Sequence, residues 1–217
     1  MQRIAVIDYG MGNLRSVSKA LEHVVPDGTE VVVTSDRALI ADSDRILCPG
    51  QGAAADCMRQ LRDTGMDTAV REAVAGGRPF MGICMGLQVL MTRSEENGGT
   101  ECLGLVAGEV RRFASNLVDP DKGERLKIPH MGWSCVSQET AHPMWDGIED
   151  NARFYFCHSY YVTPVDDAVT TGRCVYGHPY SAVIARDNVF ACQFHPEKSS
   201  RDGLRLLQNF ARWDGAR

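Results

Sequence analysis

Gly82-Ile83-Cys84-Met85-Gly86-Leu87-Gln88 follows the apolar run Pro79-Phe80-Met81 and opens onto Leu87, Val89, Leu90 and Met91, which recur at helix-like spacing. Strand, tight glycine-flanked turn, helix: that order turns a small-residue pattern into a nucleophile elbow. The flanking glycines leave uncrowded the backbone shape that Cys84 must adopt. At a helix N-terminus the dipole and the free N–H groups favour a thiolate, the nucleophilic form, over a thiol. A free cysteine is more often a small buried hydrophobe, so the weight falls on what surrounds this one.

Upstream, Arg3–Asp8 reads as a strand, the glycine-rich turn Tyr9-Gly10-Met11-Gly12-Asn13 follows, and Leu14, Val17, Leu21 and Val24 form one helical stripe. Val31-Val32-Val33 and Arg45-Ile46-Leu47-Cys48 are two more strands, giving the strand–helix–strand pattern of a parallel α/β sheet. Gly10-x-Gly12 lacks the third glycine and the acidic partner of a dinucleotide site, so it is read as loop packing or a partner contact. Pro49-Gly50-Gln51-Gly52-Ala53 leaves the carboxyl end of a strand, where α/β sheets hold ligands, and its glycines expose backbone N–H groups. A helical region is expected over 54–75, interrupted near Gly65.

Downstream of the elbow, Ser94-Glu95-Glu96-Asn97-Gly98-Gly99 is a polar loop placed to offer an acid to a substrate ammonium, though solvation alone would explain it. From Gly108 the pattern changes to short strands: Glu109–Phe113, the neighbourhood of Val136, Arg153–Cys157, Ala168–Tyr176, Ala182–Arg186 and Val189–Gln193. Turn signals separate them, notably Asn116 to Asp121 and Asp187-Asn188. With no linker-like segment, residues 1–217 read as one domain, closed by an amphipathic helix over 201–213 that carries Leu204, Leu207 and Phe210.

The strand Phe190-Ala191-Cys192-Gln193-Phe194 delivers His195-Pro196-Glu197. Proline keeps this segment extended, and in an extended chain residues i and i+2 share a face. A carboxylate beside imidazole fixes its tautomer and stabilises the imidazolium. Cysteine nucleophile, histidine base and acidic orienter make the triad of covalent acyl transfer, assigned to Cys84, His195 and Glu197.

With 44% hydrophobic and 24% charged residues the composition is that of an ordinary globular protein. A net charge of −5 with scattered basic residues argues against nucleic-acid binding. No apolar stretch approaches the ~20 residues that span a bilayer, and no signal-peptide pattern opens the chain. The eight cysteines show no Cys-x-x-Cys and the histidines no ligand spacing, so no metal is expected. Free thiols in a reducing cytoplasm are the expectation.

Taken together, Gly82–Gln88, Pro49-Gly50-Gln51-Gly52 and Phe194-His195-Pro196-Glu197 resemble the class I (triad) glutamine amidotransferases. Tyr9–Leu14, Ser94-Glu95-Glu96, Pro129-His130-Met131-Gly132-Trp133, Phe154–Tyr160 and His195–Ser199 are similar to the glutaminase subunits of imidazole glycerol phosphate synthase within that family. The resemblance covers nearly the whole chain. It implies a three-layer α/β fold, a flavodoxin-like, mostly parallel doubly wound sheet with a mixed, antiparallel extension.

It further implies that Cys84 attacks the side-chain amide of glutamine, giving a glutamyl thioester and ammonia, with no cofactor. Oxyanion donors would come from Met85 and from the loop of Gly50, Gln51 and Gly52. Glutamine-binding positions would be Gly52, Gln88, Glu96 (substrate ammonium) and Ser159 with Tyr160 (substrate carboxylate). Asn13, Trp133, Tyr155 and Lys198 would face a (βα)₈-barrel cyclase subunit that receives the ammonia within a heterodimer and uses it for histidine synthesis. Two residues depart from the subfamily pattern: Gln51 stands where a small apolar residue such as valine is more usual, and Ser134 where asparagine is. The first bears on how the oxyanion loop is restrained, the second on one interface contact. Competing readings are a subunit serving anthranilate, pyridoxal phosphate or GMP synthesis, a non-catalytic regulatory module, and an unrelated cysteine hydrolase.

Overall fold

The computed structural model describes residues 2–120 and 122–216; Asp121, the last residue of the expected turn, lies outside them. The first half alternates strands and helices: β1 (Gln2–Ile7), α1 (Leu14–Val24), β2 (Thr29–Thr34), α2 (Arg37–Ala41), β3 (Arg45–Gly50), α3 (Ala54–Asp63), α4 (Met66–Ala75), β4 (Phe80–Cys84) and α5 (Met85–Gln88). Gly65, with φ of 70°, separates α3 from α4. The second half supplies β5 (Arg93–Ser94), β6 (Thr100–Glu101), β7 (Gly108–Arg112), β8 (His130–Gln138), β9 (Ala152–His158), β10 (Tyr160–Pro164), β11 (Thr170–Tyr176), β12 (His178–Arg186), β13 (Val189–Cys192) and the closing helix α6 (Ser200–Arg212).

Strands β2, β1, β3, β4 and β13 lie side by side and parallel, so the last strand of the chain completes the sheet begun by the first. Beyond β13 the sheet turns antiparallel through β12, β10 and β7, while β11, β8 and β9 branch from β12. Side chains alternate between the two faces, and β3, β4, β13 and most of β1 are buried on both, whereas the edge strand β2 is only half-buried. Ile4, Val6, Leu47 and Ile83 pack with Val17 and Leu21 of α1 and with Leu206, Leu207 and Phe210 of α6. Ala5, Ile7, Ile46 and Cys48 pack on the other face with Leu61 and Val70 of α3 and α4. Two apolar layers flank one sheet, which is the three-layer architecture. Each fully buried Leu or Phe contributes roughly 1.5–3 kcal/mol. On α6 the buried face is led by Leu206, Leu207 and Phe210, and Leu204 is only half-buried.

The elbow helix is shorter than its apolar spacing suggests. It ends at Gln88 because the N–H groups of Leu90 and Met91 bond three residues back, to the Leu87 and Gln88 carbonyls, and the carbonyls of Val89, Leu90 and Met91 are then taken by the N–H groups of Leu103, Leu105, Val106 and Gly104. Leu87, Val89, Leu90 and Met91 are all fully buried, so their spacing records burial on every side. All eight cysteines are free, with Cys48 and Cys192 in the core and Cys157 half-buried. Among the described residues no helix is long and apolar enough to cross a membrane.

Candidate active site

Strands β3 and β4 end side by side, with Gly50 opposite Cys84, and β13 runs parallel to β4 on its other side. This is the carboxyl edge of the parallel sheet, where open α/β folds hold their ligands. A cavity of about 310 Å³ opens there, lined by Cys84, Met85, Gln88, His195, Gln51 and Gly52 from the sheet edge and by Glu96, Ser159, Tyr160 and Lys198 from the second half.

Cys84 sits at φ 56° and ψ −106°, a conformation that costs a non-glycine residue energy and persists only where neighbours over-determine it. The neighbours here are backbone. A Cβ on Gly86 would lie 1.9 Å from the Cys48 carbonyl oxygen, and one on Gly82 would lie 2.6 Å from that of Gly86. The glycines that flank the cysteine thus let strand and helix touch main chain to main chain, and the positive φ falls on the cysteine itself.

His195 Nδ1 lies 3.0 Å from Glu197 Oε1, and the Glu197 side chain is fully buried. With Nδ1 taken by Glu197, the Nε2 edge of the ring is left for Cys84, whose sulfur interacts with the imidazole. Burial opposes charge on this ring, but the hydrogen bonds to Cys84 and Glu197 outweigh it and push His195 up to about 10. The His195–Glu197 contact does not come from an extended chain. Pro196–Lys198 is a turn of 3₁₀ helix that curls the carboxylate back onto the ring.

The strand-end loop is braced from beneath. Tyr9 Oη donates to the Pro49 carbonyl at 3.0 Å, and the Cys57 thiol donates to that of Gln51 at 3.2 Å. A Cβ on Gly50 would strike Tyr9 Oη and Met85 Cβ, at 2.5 and 2.6 Å. Gly12 packs against the Pro49–Gly50 backbone, which is the loop packing expected of the early glycine turn and leaves its other residues open to a partner. Glu96 Oε2 accepts from the Ala54 N–H at 2.7 Å, capping α3 while its side chain lines the cavity. Gln88 Nε2 donates to the Tyr160 carbonyl at 3.2 Å and to Gln193 Oε1 at 3.0 Å.

Trp133 and Tyr155 meet edge to face, with centroids 6.2 Å apart, and Lys198 Nζ lies 5.9 Å from the Tyr155 ring centroid. Trp133 and its neighbour Met131 are exposed. Asn13 precedes α1 on the loop that holds Gly12, and its carbonyl accepts from Val17. Ser134, the second departure from the subfamily pattern, places its hydroxyl 2.8 Å from His130 Nε2.

That contact begins a buried chain. Tyr180 Oη lies 3.3 Å from His130 Nδ1 and 3.2 Å from His158 Nε2, and His158 Nδ1 lies 2.7 Å from the Tyr160 carbonyl. Burial lowers His130 to about 4 and His158 to about 3. Both imidazoles are neutral in the fold, whereas in the unfolded chain they take up protons below their ordinary value of 6.5. Their contribution to stability is therefore complete above pH 6.5 and is lost as pH falls through that value toward the folded ones. His195 has the opposite sign, since its contribution is complete below 6.5 and is lost as pH rises through about 10. The expected outcome is a loss on the order of 2 kcal/mol for each of His130 and His158 between pH 7 and pH 5. Urea midpoints at the two values measure it, and a His158→Gln variant should remove the His158 share of the difference, leaving that of His130; equal midpoints for the unaltered chain would contradict it.

Tyr9, Cys57, Gln193, Pro129 and Cys157 also touch this site or its loop, and the sequence singles out none of them for it. For Gln193 a signal exists: it is the polar residue inside the otherwise apolar run Phe190–Phe194. For Tyr9 and Cys57 there is none, because each is a plausible core residue until the loop is seen above it.

The family model described as glutamine amidotransferase class-I matches residues 5–213. The chain is 56% identical over 212 residues to the imidazole glycerol phosphate synthase subunit HisH of Dechloromonas aromatica, covering 98% of this chain and 97% of that one. It is 54% identical over 215 residues to the protein of the same name from Pseudomonas putida, covering 99% of each. Among solved structures, PurLQS from Thermotoga maritima superposes with a TM-score of 0.71 at 22% identity, over 97% of this chain and 98% of that one. The glutaminase domain of Trypanosoma brucei CTPS with bound acivicin gives 0.62 at 17%, over 99% and 95%. At such identities these structures speak for the fold alone.

Proposed function

The chain belongs to the class-I glutamine amidotransferases, and from that premise we propose that it is the glutaminase subunit of an imidazole glycerol phosphate synthase, a cytoplasmic heterodimer with a (βα)₈-barrel cyclase. The observation that carries the chemistry is one imidazole held by a buried carboxylate and interacting with Cys84 at the mouth of a cavity. Near full-length identity of 56% and 54% supports the choice of synthase over the anthranilate, pyridoxal phosphate or GMP alternatives.

In the proposed mechanism the Cys84 sulfur attacks the side-chain carbonyl carbon of glutamine, its proton having passed to His195. The tetrahedral oxyanion is met by the N–H of Met85, at the start of α5, and by one from the Gly50–Gly52 loop. Each such donor stabilises the transition state by about 3–4 kcal/mol. The Pro49 and Gln51 carbonyls, which would repel an oxyanion, are turned into hydrogen bonds with Tyr9 and Cys57. His195 gives its proton to the leaving nitrogen, the C–N bond breaks, and ammonia departs. Water attacks the thioester with His195 as base, releasing glutamate and the cysteine. Substrate is held by Gly52, Gln88, Glu96, Ser159 and Tyr160, all on the cavity wall.

Ammonia released into water protonates and ceases to be a nucleophile, so the partner must receive it directly. We place that partner on the face of Trp133, Tyr155, Lys198 and Asn13: Trp133 is exposed, Tyr155 beside it is half-buried, and Lys198 over the Tyr155 ring lines the cavity; Trp and Tyr are enriched at interface hot spots. The test is capture of the barrel subunit followed by a glutaminase assay. Hydrolysis should be weak for the chain alone and rise by at least about tenfold, roughly 1.4 kcal/mol of barrier, when barrel and nucleotide substrate are added. Equal rates with and without the partner would contradict the reading.

A further inference from the structure

Gln193 follows β13, two residues before His195, and is fully buried. Both ends of its amide are bonded, and one fixed point settles their direction. The Tyr160 backbone carbonyl can only accept, so Gln88 must turn its NH₂ toward it, at 3.2 Å. The second N–H of that group points at Gln193, which answers with Oε1 at 3.0 Å. Gln193 Nε2 is thereby aimed at Cys84 Sγ, 3.6 Å away. The same geometry leaves Gln88 Oε1 buried and without a partner, an acceptor on a residue that lines the cavity.

We infer that Gln193 is a second catalytic hydrogen-bond donor to the nucleophile. It stabilises the sulfur anion from the side opposite in sequence to the elbow and holds Gln88 with its carbonyl free for an N–H of the substrate. The inference deepens the proposed function and rests on Cys84 being the nucleophile. A donor gains more from an anion than from a neutral sulfur. Gln193 therefore favours the thiolate before attack. It receives the thiolate again when the thioester C–S bond breaks with its electron pair on sulfur and the proton of the attacking water on His195. Being an amide, it does this without giving up a proton of its own.

The test is the pH dependence of iodoacetamide alkylation at Cys84 in the full chain, read by mass spectrometry with the exposed Cys135 as reference. In Gln193→Met the alkylation midpoint should rise by about one to two pH units, a ten- to hundredfold loss of thiolate at a given pH below it. In Gln193→Glu, which keeps the size and the acceptor toward Gln88, a carboxylate faces the sulfur and the midpoint should rise further. A merely structural role would lower activity without moving the midpoint. Wild-type midpoints in a variant that unfolds cooperatively in urea overturn the inference, and if Gln193→Met does not fold, Gln193→Glu decides. Failure of the underlying reading looks different, because wild-type Cys84 would then be alkylated no faster at pH 7 than Cys135.

Discussion

Replacing Cys84 by alanine is expected to bring glutamine hydrolysis down by about 10⁴-fold or more, to background, while synthesis from added ammonia by the same complex stays near wild type. The first half follows from covalent chemistry: without sulfur no thioester forms, and His195 has nothing to deprotonate. The second follows from the proposed division of labour between subunits, in which added ammonia enters at the acceptor and bypasses the cavity. The substitution is also mild for the fold. It removes one atom from a side chain that is 6% exposed, and alanine is no more strained than cysteine at φ 56°. What is lost is the hydrogen bond from Gln193 to the sulfur and the interaction of the sulfur with His195. Parallel assays of glutamate release and of ammonia-dependent product formation decide the matter. Retention of hydrolysis above a few per cent, or loss of both activities in an assembled complex, would defeat the mechanism.

What made the parallel half legible is that its signals are local. The Leu14, Val17, Leu21 and Val24 stripe predicts α1, and α1 spans Leu14–Val24. The Gly65 break predicts two helices where two stand. The antiparallel half was legible as a set of strands but not as an arrangement, since short strands with similar spacing do not reveal that β11 leads away to β8 and β9 while β10 leads to β7. Two site features emerged for reasons other than those the pattern offered. His195 reaches Glu197 through a 3₁₀ turn, because proline suits the first turn of a helix as readily as an extended chain. The apolar spacing after Cys84 reflects burial on all sides, and the helix stops where the N–H groups of Leu90 and Met91 bond three residues back. The bracing residues stayed hidden because they act across distance. Tyr9 reaches Pro49 over 40 residues, and Gln193 reaches Cys84 over 109.

Glu197→Gln is expected to lower kcat for glutamine hydrolysis by about 10²- to 10⁴-fold while leaving KM within a few-fold, because Glu197 touches His195 and lies outside the cavity wall. The substitution keeps the size of the side chain and can keep an acceptor toward Nδ1, so what it removes is charge. In the native site burial works against the imidazolium, and the bonds to Cys84 and Glu197 overcome it. With one of those two supports neutralised, burial weighs more and the His195 value falls from about 10. The working form of the proposed mechanism carries its proton on His195 at the moment the nitrogen leaves, so this form is lost on the alkaline side. The alkaline limb of kcat/KM for the wild type therefore lies near the upper His195 value, and in Glu197→Gln it moves to lower pH, making the defect larger at pH 9 than at pH 7. Glu197 Oε2 is buried without a partner, so the wild-type carboxylate is tolerated there chiefly because an imidazolium faces its other oxygen. A Glu197→Gln enzyme with wild-type kcat, or with a lowered kcat and an unmoved alkaline limb, would show that this carboxylate fixes geometry alone and that the charge on His195 is held by something else.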